Sequence, residues 1–262
     1  MHFQIQYDYI MKKVFLVFIA VLFVSYGFAQ EELPTVVPER PGYTWGAEVT
    51  PHHKIIWDQG IGYESTPEGE NTMTLSSTVL RYGLFENMEL RVGSDFIMYN
   101  KGEAIAPFTG VSPLTIGTKI KLYEGSGILP AVGLLAEVQS PHIGSKDLLP
   151  SYLAPSMYLI FENSITDWLS VCYNAGEQWD GESAKPTTFL GLALYFSFND
   201  QLGAFVDTYN YLNSEEGNQY MLETGLFWQV SRRVQLDIEG DFDVQNFGKY
   251  YAVGCGVSWM IN

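Results

Sequence analysis

Ionisable side chains recur at every second position of otherwise apolar runs. They are Arg81, then Glu89, Arg91 and Asp95, then Lys119 and Lys121, Glu137, Asp207, Glu223, and finally Asp237 and Glu239. A period of two belongs to an extended strand, so charges spaced this way share one face. The opposite face then carries Leu90, Val92, Ile116, Ile120, Leu159, Leu192 and Leu194. Such a charged face has two uses. It can line a passage and act on a passing solute, or its charges can pair and rigidify a filled interior. The cations come early (Arg81, Arg91, Lys119, Lys121) and the anions late (Asp207, Glu223, Asp237, Glu239), so a closed barrel would set a basic wall against an acidic one.

Other chemistry is poorly supported. His52 and His53 are adjacent at the start of a strand and point to opposite faces. His142 stands beside Pro141 with no cysteine or carboxylate frame for a metal. Ser76, Ser77 or Ser151 could be set beside His53 or His142 as a lipid-hydrolysing pair, but no spacing singles one out. No glycine-rich phosphate loop opens a helix. The expectation is no enzyme, no metal and no cofactor. Cys172 and Cys255 fall mid-strand, too far apart in a meander to bridge, and are expected to be free and buried.

The elements that must hold these residues are hairpins. Leu80 to Val92 consists of two alternating segments around the break Phe85-Glu86-Asn87, and the design returns at Phe161-Glu162-Asn163, Phe198-Asn199-Asp200 and Val230-Ser231-Arg232. Twelve alternating runs follow, near 54–64, 71–83, 87–99, 113–123, 128–140, 151–162, 167–176, 186–198, 201–212, 219–230, 233–243 and 249–261. Each reaches the roughly 9–11 residues a tilted strand needs to cross a bilayer. Short breaks alternate with longer polar ones, and an even strand count puts both termini on the short-turn, periplasmic side.

Alternation alone does not say which face is inside. Aromatic residues help: Tyr82, Tyr123, Phe161, Phe196, Phe198, Trp228 and Trp259 lie near short-turn ends, and Trp57, Tyr63, Phe96, Tyr173 and Tyr209 towards the other ends. Two bands of amphipathic rings suit two membrane interfaces. The chain also ends within an alternating strand, Val257 to Asn262. These features predict an all-β fold, a transmembrane antiparallel up-and-down barrel of about twelve strands in the outer membrane of a Gram-negative bacterium. Its partners would be outer-membrane lipid and small-molecule solutes. A net charge of −16 argues against nucleic acid.

Three regions are expected. Residues 1 to 29 read as a signal peptide, with Met11-Lys12-Lys13, an apolar run Val14 to Val24 and a cut after Ala29; residues 1 to 10 would be a mis-assigned start. Residues 30 to 52 are Pro-rich (Pro34, Pro38, Pro41, Pro51) and form an irregular lead-in, on the periplasmic side or tucked into the lumen. Residues 53 to 262 form the barrel.

Arg81-Tyr82-Gly83-Leu84 followed by Met88-Glu89-Leu90-Arg91-Val92-Gly93, Val234-Gln235-Leu236-Asp237 and the Arg40-Pro41 lead-in resemble the outer-membrane transporters labelled "meta-pathway of phenol degradation". Gly42 and Trp45 depart from that pattern, standing where acidic residues are expected. The resemblance covers most of the chain after residue 29. It implies a barrel for passive passage of small molecules, aromatic or hydrophobic ones among them. A surface-interaction barrel without transport is the alternative reading of the same hairpins.

Overall fold

The computed structural model describes residues 34–67, 69–100, 107–215 and 217–261; the expected signal peptide lies outside them. The strands are β1 (Ile55–Ser65), β2 (Asn71–Phe85), β3 (Met88–Asn100), β4 (Phe108–Val111), β5 (Thr115–Tyr123), β6 (Ala131–Gln139), β7 (Ala154–Thr166), β8 (Leu169–Gln178), β9 (Thr187–Ser197), β10 (Leu202–Asn213), β11 (Gly217–Ser231), β12 (Val234–Asp243) and β13 (Tyr251–Ile261). Neighbours in sequence pair antiparallel, and β1 pairs with both β2 and β13, which closes the sheet on itself. Closure leaves no unpaired edge, the condition a strand protein must meet in hydrocarbon.

The wall has twelve staves, because β4 and β5 are two pieces of one. The upper part of β3 pairs with β4, from Tyr99↔Phe108 to Phe96↔Val111, and the lower part with β5, from Gly93↔Thr115 to Met88↔Ile120. Pro113 lacks the N–H a ladder needs and falls in the gap. Ser112 bridges that gap: its N–H donates to Asp95 O (2.8 Å) and its Oγ accepts from Asp95 N–H (2.7 Å). The sequence pattern placed 100–112 in a loop and missed β4, which is only four residues long.

Apolar side chains alternate outward and polar ones inward. Leu90, Val92, Ile116, Leu159, Leu192 and Leu194 are exposed, whereas Arg81, Glu89, Lys119, Asp207 and Glu223 are fully buried. A barrel in water would have the opposite sense, since each large apolar side chain left exposed forgoes roughly 1.5–3 kcal/mol. The apolar outer wall is therefore the lipid face. Gln59, Ser76 and Thr78 interrupt it but satisfy one another, with Gln59 Nε2 donating to Ser76 Oγ (3.0 Å) and Thr78 Oγ1 to Gln59 Oε1 (2.6 Å). No helix among the described residues is long and apolar enough to cross a membrane.

Several expectations change. The turn expected at Phe161-Glu162-Asn163 falls instead at Asp167-Trp168, because β7 runs on to Thr166, and Tyr173 stands in register with Phe161 and stacks on it, so the two rings are not in opposite bands. Trp57 pairs in register with Trp259 at the short-turn end, beside β1's first residues, so it belongs to the lower aromatic band. Tyr209 is buried inside the barrel, on the same strand face as Asp207. Cys255 is free as expected but exposed, because its register partners Ile61 and Ile238 both face outward; Cys172 is free and buried.

Candidate functional site

The interior is occupied by the chain itself. Residues 36–51 run through the barrel as an irregular segment that bonds to strands all the way round the wall, which is possible only from within. Thr50 N–H and Oγ1 donate to Glu89 of β3 (2.6 and 2.7 Å), and Ala47 N–H donates to Glu162 of β7 (2.8 Å). Thr44 N–H and Oγ1 donate to Asp207 of β10 (2.8 and 2.6 Å), which Tyr43 N–H also reaches at 3.1 Å. Tyr195 OH of β9 donates to Thr44 O (3.0 Å), and Arg40 pairs with Glu239 (2.8 Å) and Asp237 (3.3 Å) of β12.

The physical logic is that of buried backbone. A segment without secondary structure carries N–H groups that cost free energy if left unpaired. The wall meets them with carboxylates, whose charge makes each bond stronger than a neutral one. Pro38, Pro41 and Pro51 remove three of those donors outright. Small residues make the space. Gly60 and Gly256 face each other across β1 and β13, and a β-carbon on either would stand 2.7 or 2.3 Å from the Arg40 guanidinium group. At Gly83 a β-carbon would lie 2.2 Å from Pro51 O.

The early cations are closed by carboxylates. Arg81 is paired with Asp58 (2.7 Å) and lies 3.5 Å from Glu89. Arg91 meets Glu39 (2.6 Å) and Glu137 (2.8 Å), and Lys119 meets Glu39 (2.9 Å). Lys121 is held by Glu48 (3.1 Å) and Glu124 (2.9 Å). Burial alone would raise the Glu39 carboxyl, but Arg91, Lys119 and Arg81 around it overcome that and hold it well below the ordinary carboxylate range. The basic wall thus faces the segment inside the barrel and not an open path.

The late anions are treated differently. Asp207, Glu223 and Asp241 stand abreast in register on β10, β11 and β12. Asp207 is satisfied by the segment's N–H groups and Asp241 by Tyr209 OH (2.9 Å). Glu223, fully buried between them, has no side-chain or ion partner, and only the Tyr43 backbone N–H approaches it. Asp95 lies across the lumen, lining a cavity with Arg40 and Glu239.

Three cavities follow one another along the lumen. The first, about 230 Å³, is on the short-turn side and is lined by Arg40, Trp45, Lys119, Cys172 and Tyr195. The second, about 180 Å³, lies between Arg40 and Tyr43 and includes Glu64, Asp95, Glu239 and Asp241. The third, about 330 Å³, opens among the long loops and is lined by Tyr43, Glu64, Tyr209, Tyr211 and Tyr250. Arg40 is common to the first two, and Tyr43 with Glu64 to the second and third. Tyr43 stacks on Tyr209 with ring centroids 4.4 Å apart.

Asp58, Glu162 and Asp241 lie on the inward face without having been singled out from sequence. Asp241 continues the parity of Asp237 and Glu239, and that signal could have found it. Glu39, Tyr43 and Thr44 had no such signal, because an irregular segment has no period. Trp45 packs edge-on to Tyr158 (5.1 Å) and stacks on Phe189 (6.0 Å), the centre of an apolar cluster with Ala47, Leu135, Ile160 and Tyr209.

The model of the family described as "Putative MetA-pathway of phenol degradation" matches residues 39–261. The chain belongs to that family. The match begins at Glu39, so it takes in the segment inside the barrel as well as the wall. No curated protein matches the chain. Among solved structures it is similar to an outer membrane channel from Pseudomonas putida F1, with TM-score 0.63 and 12% identity over 82% of this chain and 98% of that one. It is also similar to the KdgM porin in complex with disordered oligogalacturonate (TM-score 0.55, 10% identity, 78% and 99% covered). The NanC porin is a third (TM-score 0.53, 13% identity, 78% and 98% covered). At these identities the likeness is one of fold, an outer-membrane β-barrel.

Proposed function

We propose that this family member is a passive outer-membrane channel for small molecules, aromatic or hydrophobic ones included. In this reading the interior charges and the segment 36–51 together decide what passes. The observation that carries it is the chain of three cavities along the lumen, of which the first two share Arg40 in their lining and the last two share Tyr43 and Glu64. The named channel and porins of like fold, and the family's association with degradation of an aromatic compound, agree with it.

Liposome swelling tests the proposal. Proteoliposomes should admit small neutral solutes such as phenol-sized alcohols faster than protein-free liposomes, and should exclude a trisaccharide. Swelling equal to the protein-free control would overturn it. One observation favours a second reading, a structural or surface-interaction barrel without transport: buried ion pairs around Glu39 tie the interior segment to the basic side of the lumen. The same measurement separates the two.

A further inference from the structure

We propose that the long-loop half of the lumen is a binding site for small organic cations, ammonium groups carried on an apolar or aromatic body. This rests on the reading that solutes enter the lumen, and it names the class of solute the site holds. The first observation is a charge imbalance. The two cavities on that side are lined by Glu64, Asp95, Glu239, Asp241 and Asp243, and among the described residues Arg40 is the one cationic side chain lining them. Arg40 is already engaged by Asp237 and Glu239. Glu64 has no ion-pair partner among the described residues.

The second observation is independent of that count. Glu223 is fully buried, at the centre of the row Asp207–Glu223–Asp241, with no side-chain or ion partner and only the Tyr43 backbone N–H approaching it. A carboxylate buried without a partner is costly, and native structures resolve that cost with a counter-ion or a proton. The inner of the two cavities begins at Asp241, its neighbour in the row.

The lining aromatics specify the rest of the ligand. Tyr43, Tyr209, Tyr211 and Tyr250 surround the two cavities, with Tyr43 and Tyr209 stacked and Tyr209 edge-on to Tyr211 at 5.8 Å. Ring faces attract a cation and also accept an apolar body, whereas carboxylates repel anions. The described residues contain no cluster of His, Cys, Asp and Glu with metal-binding geometry, which favours a diffuse organic cation over a coordinated metal ion. On the short-turn side, by contrast, Lys119 and Arg40 share a cavity with Glu39, Glu48 and Glu162, and charge of either sign is answered there.

The test uses the whole mature protein in detergent micelles and three probes of one shape: benzylammonium, benzyl alcohol and benzoate. Calorimetric titration should show benzylammonium binding at least about tenfold more tightly than benzyl alcohol, with benzoate weakest. Raising the salt should weaken the first and leave the second unchanged. Glu223→Gln should lower benzylammonium affinity and leave benzyl alcohol binding as it was. If that variant does not fold, Glu64→Gln, a half-buried residue without an ion partner, should show the same selective loss. Equal binding of ammonium and alcohol, or none of either, would overturn the site. Bilayer conductance of the same preparation keeps the two proposals apart. Conductance without benzylammonium preference rejects the site and leaves the channel; the preference without conductance does the reverse.

Discussion

Glu39 reaches Arg91 at 2.6 Å, Lys119 at 2.9 Å and Arg81 at 3.8 Å, so one carboxylate from outside the strands neutralises cations on three of them. Glu39→Gln leaves those cations under-compensated and should cost about 3–5 kcal/mol, read as a lower thermal unfolding midpoint. The pH dependence has a definite sign. A carboxyl held below its ordinary value of 4.5 stabilises the fold fully above that value and ceases to do so as pH falls through its depressed value. The difference in midpoint between wild type and Glu39→Gln should therefore stay constant from pH 7 to pH 5 and shrink only in stronger acid. A difference that fades above pH 5 would contradict the ion-pair assignment. On the other face of the wall, Leu192→Lys should cost about 2–4 kcal/mol if that position sits at the bilayer midplane. Urea-induced unfolding in lipid vesicles measures it, and a negligible cost would place Leu192 away from lipid.

At the scale of elements, the hairpins were legible because period-2 alternation survives in every stave. A lipid face tolerates no charge and an interior face invites it, so the pattern is written twice, once by presence and once by exclusion. Asp95 interrupts nothing on its own strand, yet its backbone hides the break in the next stave at Ser112. The pattern could not show β4, since four residues followed directly by Ser112-Pro113 carry too little alternation. The segment 36–51 was legible only as irregular and Pro-rich. Its bonds to the wall span from 39 positions, Thr50 to Glu89, to 199, Arg40 to Glu239, and no local spacing encodes them. Its seating depends on backbone approach at Gly83. Gly83→Val should unseat Thr50 from Glu89 while the ladder between β2 and β3 persists. Cleavage at Glu48 by a glutamate-specific protease, with the barrel still heat-modifiable on a denaturing gel, would be the expected outcome; unchanged protection would contradict the seating.

For the whole molecule, charge is divided along the lumen as well as around it. The sequence pattern suggested a field between a basic and an acidic wall, but Glu39, Asp58, Glu89 and Glu137 answer the cations of the early staves. What remains uncompensated is the acidic, Tyr-lined half beneath the long loops. Reversing Arg91 and Lys119 to Glu would press two carboxylates against Glu39, so lost stability, and not altered selectivity, is the expected result, checked by thermal unfolding alongside reversal potential. In the proposed channel the side chains of the interior segment, and not the wall, limit passage. Arg40 is the group shared by the two inner cavities. Single-channel conductance in planar bilayers, wild type beside Arg40→Ala, tests this most directly. Merging of the two cavities should raise the conductance several-fold in a barrel that remains folded. Identical conductance in the two proteins, or none in either, would contradict it.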